Sequence, residues 1–254
     1  MKISIITVTK NSARTIERAV HSVSLQKDVN VEHIIKDAGS NDNTIDIAMV
    51  ANPLVTVVSI NDTGIYDAMN QGYLNSSGDI IAFLNSDDYY IDDYVLSDVI
   101  NAFNTSDCDF VYGDITMLSL SGEIVRVWHT GLLGKEGLVG QQIPHPSIFI
   151  KRNVINQLLT PFDPSYKISA DLKQQLLIVN KFKCKGAYLN RSLVMMETGG
   201  ESTNSFYSYI TGWKESVRAY NEVFGRGGIW CVVKKVFSKF KGLKIKAQLQ
   251  NFGK

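Results

Sequence analysis

Runs of apolar residues alternate with amphipathic stretches along the first ninety residues. Lys2 to Thr9 is β-branched almost throughout and ends at Lys10-Asn11-Ser12, the pattern of a buried strand running into a turn. From Ala13 to Leu25 the apolar positions Ile16, Ala19, Val20 and Val23 fall at helical spacing, with Ser12 available as a cap. A second strand is predicted over Val31 to Lys36. It closes on the polar turn Asp37 to Thr44, and Ile45 to Val50 starts another helix. A third strand is predicted over Val55 to Ile60, and Tyr66 to Leu74 forms a helix that places Asp67 and Asn70 on one face. Ile80 to Leu84 is a fourth apolar run, bounded by Gly78-Asp79 before it and Asn85-Ser86-Asp87-Asp88 after it. Strand and helix in alternation predict a parallel sheet with right-handed crossovers.

Beyond residue 90 the alternation lapses. A helix is expected over Ile91 to Phe103, then strands over Asp109 to Asp114 and Glu123 to Trp128 joined through a Ser-Gly turn. The proline-constrained segment Gln141 to Ser147 enters a strand at Ile148 to Lys151, and Ser169-Ala170-Asp171 precedes a helical Leu172 to Val179. Gly199 to Thr203 has the composition of a flexible loop, followed by helical patterns over Tyr207 to Val223 and Trp230 to Leu249.

In open α/β sheets ligands bind beyond the carboxyl ends of the strands. Here four predicted strands present polar ends there: Thr9 with Asn11, Asp37, Asp62, and the pair Asp87-Asp88. That concentration describes a ligand cleft. Two adjacent carboxylates repel each other, and a hard divalent cation with oxygen ligands relieves the repulsion. The alternative for the same pair is a polar strand-to-loop turn.

Composition narrows the class without changing the fold. The chain has 254 residues, 44% of them apolar and 20% charged, as an ordinary globular protein does. Three widely spaced cysteines form neither a disulfide framework nor a zinc spacing, which suits a reducing compartment. The first apolar run is too short for a signal-peptide core, and no segment reaches the length of a membrane span, so a cytoplasmic protein is expected. A net charge of +1 hides an asymmetry. Arg226 to Lys254 carries eight Lys and Arg and no acid, leaving 18 basic residues against 25 acidic ones before it. The mildly acidic body argues against nucleic acid as its ligand. The basic tail suits an anionic membrane surface.

Seven stretches in order resemble the family-2 glycosyltransferases: I-S-I-I-T-V-T-K-N from Ile3, K-D-A-G-S-N-D-N-T from Lys36, G-I-Y-D-A-M-N-Q-G from Gly64, S-G-D-I-I-A-F-L-N-S-D-D from Ser77, V-Y-G-D from Val111, H-P-S from His145 and S-A-D from Ser169. The likeness is strongest to the small bacterial members that build O-antigen and exopolysaccharide repeats. It implies an inverting enzyme of GT-A fold, an α/β architecture with a mostly parallel Rossmann-like sheet flanked by helices and a helical C-terminal extension. Residues 1–204 would form the catalytic domain, with 1–90 the nucleotide-binding half and 91–204 the acceptor-side half, and 205–254 a basic amphipathic extension.

Carried across residue by residue, the family pattern puts Thr7, Thr9 and Asp37 around the nucleotide, with Asp37 accepting from the uracil N3–H. Asp62, Asp67, Asn70, Ser86 and His145 would line the donor sugar and diphosphate. The family's Asp-x-Asp metal motif stands here as Asn85-Ser86-Asp87, so Asp87, with Asp88 after it, is the implied ligand of Mn²⁺ or Mg²⁺. Asp171 occupies the position of the base that deprotonates the acceptor hydroxyl, with Glu201 the next candidate. A first-turn carboxylate is favoured at a helix start regardless of catalysis, which is the other reading of Asp171. The implied partners are a UDP-sugar and a lipid-diphosphate-linked saccharide at the inner membrane face. Asn85 in place of Asp keeps open a non-catalytic nucleotide-sugar-binding or scaffold protein. From Ile229 the residues Ile229, Trp230, Val233, Val236, Phe237, Phe240 and Leu243 recur at helical spacing opposite lysines, a pattern that fits a membrane interface, docking on the catalytic domain, or a second subunit of a homo-oligomer.

Overall fold

The computed structural model describes residues 1–198 and 206–234. The expected loop at 199–203, Glu201, and the part of the tail stripe from residue 235 onward lie outside the described residues.

The first half follows the predicted alternation: β1 (Lys2–Thr9), α1 (Ile16–Ser24), β2 (Asn30–Asp37), α2 (Thr44–Ala51), β3 (Thr56–Ser59), α3 (Ile65–Leu74) and β4 (Ile80–Phe83). These strands lie in the order β3-β2-β1-β4, every pair parallel. Period-two alternation divides β1 between two cores. Ile3 and Ile5 enter one cluster, while Ile6 and Val8 enter another with Tyr66 and Met69 of α3.

The second half contains β5 (Asp88–Tyr90), α4 (Val95–Thr105), β6 (Phe110–Leu118), β7 (Ile124–Trp128), β8 (Ile148–Lys151), a short helix α5 (Arg152–Ile155), α6 (Ala170–Leu176), β9 (Gly186–Glu197) and α7 (Phe206–Phe224). The sheet continues β4-β8-β6-β9-β5, with β7 paired to β6. Beyond β4 the sheet is mixed. Only β6 and β9 run parallel in this half, while β4–β8, β6–β8, β6–β7 and β5–β9 are antiparallel. The cause is the absence of a helical crossover between β6, β7 and β8.

β5 and β9 were not expected. β9 carries Asn190-Arg191-Ser192 in its middle, and its register to β6 shifts there, so neither alternation nor a continuous apolar run marks it. The reversal at β8 brings Ser147, at its amino end, beside the carboxyl end of β4, and places Gly113 and Asp114 of β6 next in line along the same edge. α7 is no loose appendage. Its Ala219 and Tyr220 are fully buried in the cluster that holds α3 and α6.

Candidate active site

Thr9 and Asp37 sit side by side at the ends of β1 and β2. Asp37 is turned to its own loop: Gly39 N (3.0 Å), Ser40 N (3.1 Å), Ser40 Oγ (2.5 Å) and Ser59 Oγ (3.0 Å) all donate to its carboxylate. Burial pushes this carboxyl up, but those donors outweigh it and hold the pKa below its ordinary value. Gly39 at φ +79° supplies the left-handed residue of the turn. Asp37 thus shapes the loop at this end of the sheet. Thr7 is fully buried, with Oγ1 3.0 Å from Nε2 of His33, whose own pKa burial lowers to about 3. The buried Oγ1 of Thr9 has no hydrogen-bond partner.

Lys36 stands beneath this end of the sheet with no exposed side-chain surface. Its ammonium donates to Asp37 O (2.8 Å), Ile60 O (2.6 Å) and Asp62 Oδ2 (2.9 Å). A buried ammonium needs this full set of acceptors, and it fixes Asp62 in turn. Asp67 accepts from Thr63 N at 2.8 Å and Thr63 Oγ1 at 3.0 Å, so it braces the turn that enters α3. Both ends of the Asn70 amide bracket the backbone of Phe162, at 2.8 and 2.9 Å, which latches α3 to a loop 92 residues away.

The aspartate pair divides. Asp88 is 1% exposed on β5 and accepts from Asn85 Nδ2 at 3.1 Å. Burial and then the charge of Asp87 push its pKa well up, so Asp88 is an inward carboxyl. Asp87 is half-buried, and burial again raises its pKa, with Glu197 adding to the rise and Arg18 and Arg14 opposing it. Arg14 and Arg18 both bond Glu197 at the end of β9, and the Arg18 guanidinium lies 4.2 Å from the Tyr89 ring centroid. Ser86 donates to Ser12 Oγ at 2.9 Å, joining the pair to the loop after β1.

Among the described residues no three His, Cys, Asp or Glu side chains gather as a metal cage. Yet the Asp87 carboxylate is incompletely compensated, and the buried Asn85 Oδ1 has no partner. One carboxylate and a spare amide oxygen suit a hard cation that takes its remaining ligands from water and a diphosphate.

Across the cleft, Asp171 stands in the first turn of α6. Gln142 Nε2 donates to its Oδ2 at 2.7 Å and Tyr66 Oη to its Oδ1 at 3.3 Å. His145 stacks on Phe83 (5.7 Å between centroids) and meets Phe162 edge-on (5.4 Å). Both of its ring nitrogens are enclosed without a hydrogen-bond partner, and burial lowers its pKa against the pull of Asp171. Unpaired buried nitrogens are costly.

A further cluster, around Asp114, has no role in the sequence reading. Buried Asp114 accepts from His129 Nδ1, Thr130 N and Tyr188 Oη, each at 2.8 Å, while the His129 side chain is 76% exposed. V-Y-G-D was visible as a motif, but nothing near it in the chain announces Tyr188, 74 residues on. Gln142 and Tyr66 were likewise unmarked as partners of Asp171.

Residues 4–148, more than half of the chain, match the family model described as Glycosyl transferase family 2. A PGL/p-HBAD biosynthesis glycosyltransferase of Mycobacterium bovis is 30% identical over 173 residues, which cover 66% of this chain and 66% of that relative. Among solved structures, S. aureus TarS superposes with a TM-score of 0.66 at 17% identity, covering 87% of this chain and 39% of TarS. Glucosyl-3-phosphoglycerate synthase from Mycobacterium tuberculosis, solved with Mn²⁺, UDP and phosphoglyceric acid, gives a TM-score of 0.61 at 18% identity over 86% of this chain and 78% of that one. The chain thus spans about two thirds of the length of the curated relative and a smaller share of TarS. At these identities the structural likeness establishes the fold, the GT-A α/β architecture.

Proposed function

The chain belongs to glycosyl transferase family 2, and on that premise we propose that it transfers a sugar from a UDP-sugar to a hydroxyl of a lipid-linked saccharide, with inversion, in bacterial surface-polysaccharide synthesis. The observation that supports this reading is that Asp171, oriented by Gln142 and Tyr66, lies close enough for its charge to act on the unpaired His145, which stacks on Phe83 at the end of the strand that leads to Asp87. The uridine choice draws on the solved complexes of TarS with UDP-GlcNAc and of glucosyl-3-phosphoglycerate synthase with UDP.

The nucleotide lies over the turn that Asp37 holds, beside the unpaired Thr9 hydroxyl and the Asp62 carboxylate fixed by Lys36. Asp87, with the Asn85 oxygen, would hold Mn²⁺ or Mg²⁺, which would supply positive charge against the diphosphate. His145 as the neutral imidazole keeps one N–H for a donor oxygen. An acceptor hydroxyl approaches the anomeric carbon from the face opposite UDP, and its proton passes to Asp171 as the new C–O bond forms and the bond from that carbon to the UDP phosphate oxygen breaks, UDP leaving with the electron pair. Gln142 and Tyr66 hold the carboxylate's orientation through this step.

The test is UDP release on incubation with UDP-glucose, UDP-galactose or their N-acetyl forms, a divalent metal and a lipid-diphosphate saccharide. Wild-type protein is expected to release UDP, and Asp171→Asn to lose on the order of 10² to 10⁴ in kcat with UDP affinity retained. Near wild-type turnover in Asp171→Asn would remove it as the base. UDP binding without release from any donor would favour the non-catalytic binder that Asn85 leaves open.

A further inference from the structure

The loop that delivers Asp171 is held from the far end of the chain. Glu215, in the middle of α7, accepts from three successive backbone amides: Lys167 N at 2.8 Å, and Ile168 N and Ser169 N at 2.9 Å each. Ser169 is the cap residue of α6, yet its side chain makes no capping bond to that helix. Its hydroxyl instead donates to Gly212 O at 3.2 Å, again on α7. The three amides therefore find in Glu215 the acceptor that the local sequence does not provide.

The Ile168 peptide is gripped on both sides. Its N–H goes to Glu215, and its carbonyl accepts from Tyr66 Oη at 2.6 Å, the hydroxyl that also reaches Asp171. α7 itself is firmly seated. Tyr220 is buried and donates to Leu138 O at 3.0 Å, and Lys173 of α6 pairs with Glu222 of α7 and with Asp163. A Cβ on Gly212 would stand 3.3 Å from Ile168 Cγ2, so this face of α7 lies close against the loop.

We propose that Glu215 is a positioning residue for Asp171, and that the C-terminal helix thereby sets where the base stands in the cleft. The proposal rests on the reading of Asp171 as the base. Ionic acceptors hold amides more strongly than neutral ones, and a small displacement of a reacting group costs rate steeply.

The test uses the full chain with Glu215→Ala and Glu215→Gln, the latter keeping size and one acceptor oxygen. Hydrogen exchange is read at the amides of residues 167–169, UDP affinity by calorimetry, and kcat by UDP release from whichever of the four UDP-sugars wild-type protein turns over. Expected are faster exchange at those amides, UDP affinity within about twofold of wild type, and kcat lowered about 10- to 100-fold in the alanine variant, with the glutamine variant between. In an Asp171→Asn background the Glu215 change should cost less than about threefold, because what it positions is already gone. The glutamine variant carries the same readings if the alanine variant fails to fold. Unchanged exchange at 167–169 overturns the proposal without any activity measurement. A full Glu215 effect persisting in the Asp171→Asn background overturns it as well, while wild-type turnover in Asp171→Asn alone overturns the base assignment and this proposal together.

Discussion

Asp87 and Asp88 are neighbours in the chain with opposite environments, and the difference decides what each can do. Asp88 is enclosed and tied to Asn85, whereas Asp87 stays at the cleft with Glu197 and two arginines about it. Removing the Asp87 charge should therefore remove metal sensitivity from nucleotide binding. In wild-type protein Mn²⁺ is expected to tighten UDP by about tenfold or more relative to excess chelator, a gain of about 1.4 kcal/mol. In Asp87→Asn the two titrations should coincide, and an undiminished Mn²⁺ effect would mean that the cation sits elsewhere. Asp87 drew attention because it follows an apolar strand, and Asp171 and His145 because their motifs resemble the family's. What chain order did not show is the bonding of Thr7, Asp37 and Asn70 to His33, Ser59 and Phe162, which lie 26, 22 and 92 residues away. Residue type shows that a side chain can bond, while only the fold shows that it is already bonded.

At the scale of elements, periodicity gave the first half of the sheet almost intact, because each crossover helix buries one stripe on strands that are buried on both faces. Gly72 shows how tightly that packing closes. It lies on α3 over β1, where a Cβ would come within 2.4 Å of Ile6 Cγ2. Helix propensity alone favours Gly72→Ala by about 1 kcal/mol. Overpacking a closed core costs about 1 to 3 kcal/mol, and here the obstructing atom is the branch methyl of a fully buried isoleucine, with little room to yield. The clash should win, so Gly72→Ala is expected to lower stability by about 1 to 2 kcal/mol in urea unfolding. A stabilised variant would show that α3 can shift outward. In the second half the pattern faded because β5 is three residues long and β9 is interrupted by polar residues at a register shift, so neither fills a window in which period could be seen.

For the molecule as a whole, the question is what meets the surface around the C-terminal helices. α7 leaves Tyr209, Ile210 and Trp213 exposed beside Lys214, and the helical residues 228–234 leave Ile229 and Trp230 exposed near Arg226 and Lys234. Cys231 and Val232 of that segment pack against the core, which anchors it without covering the aromatic pair. No helix among the described residues is long and apolar enough to cross a membrane. Exposed Trp and Ile beside basic residues match the chemistry of a membrane interface, where rings enter the headgroup boundary and each Lys or Arg adds about 1 kcal/mol on an anionic surface. The eight Lys and Arg from Arg226 onward, with no acid among them, extend the same argument through the sequence. Sedimentation with phosphatidylglycerol vesicles at low salt should carry down the intact chain. A version ending at Gly225 should stay largely in solution, Trp230→Ser should weaken binding, and raised salt should release the intact chain because screening removes the lysine contribution first. Equal binding of the intact and shortened chains would move the contact to α7 alone, and no binding by either would leave these aromatics to a protein partner such as a second copy of the chain.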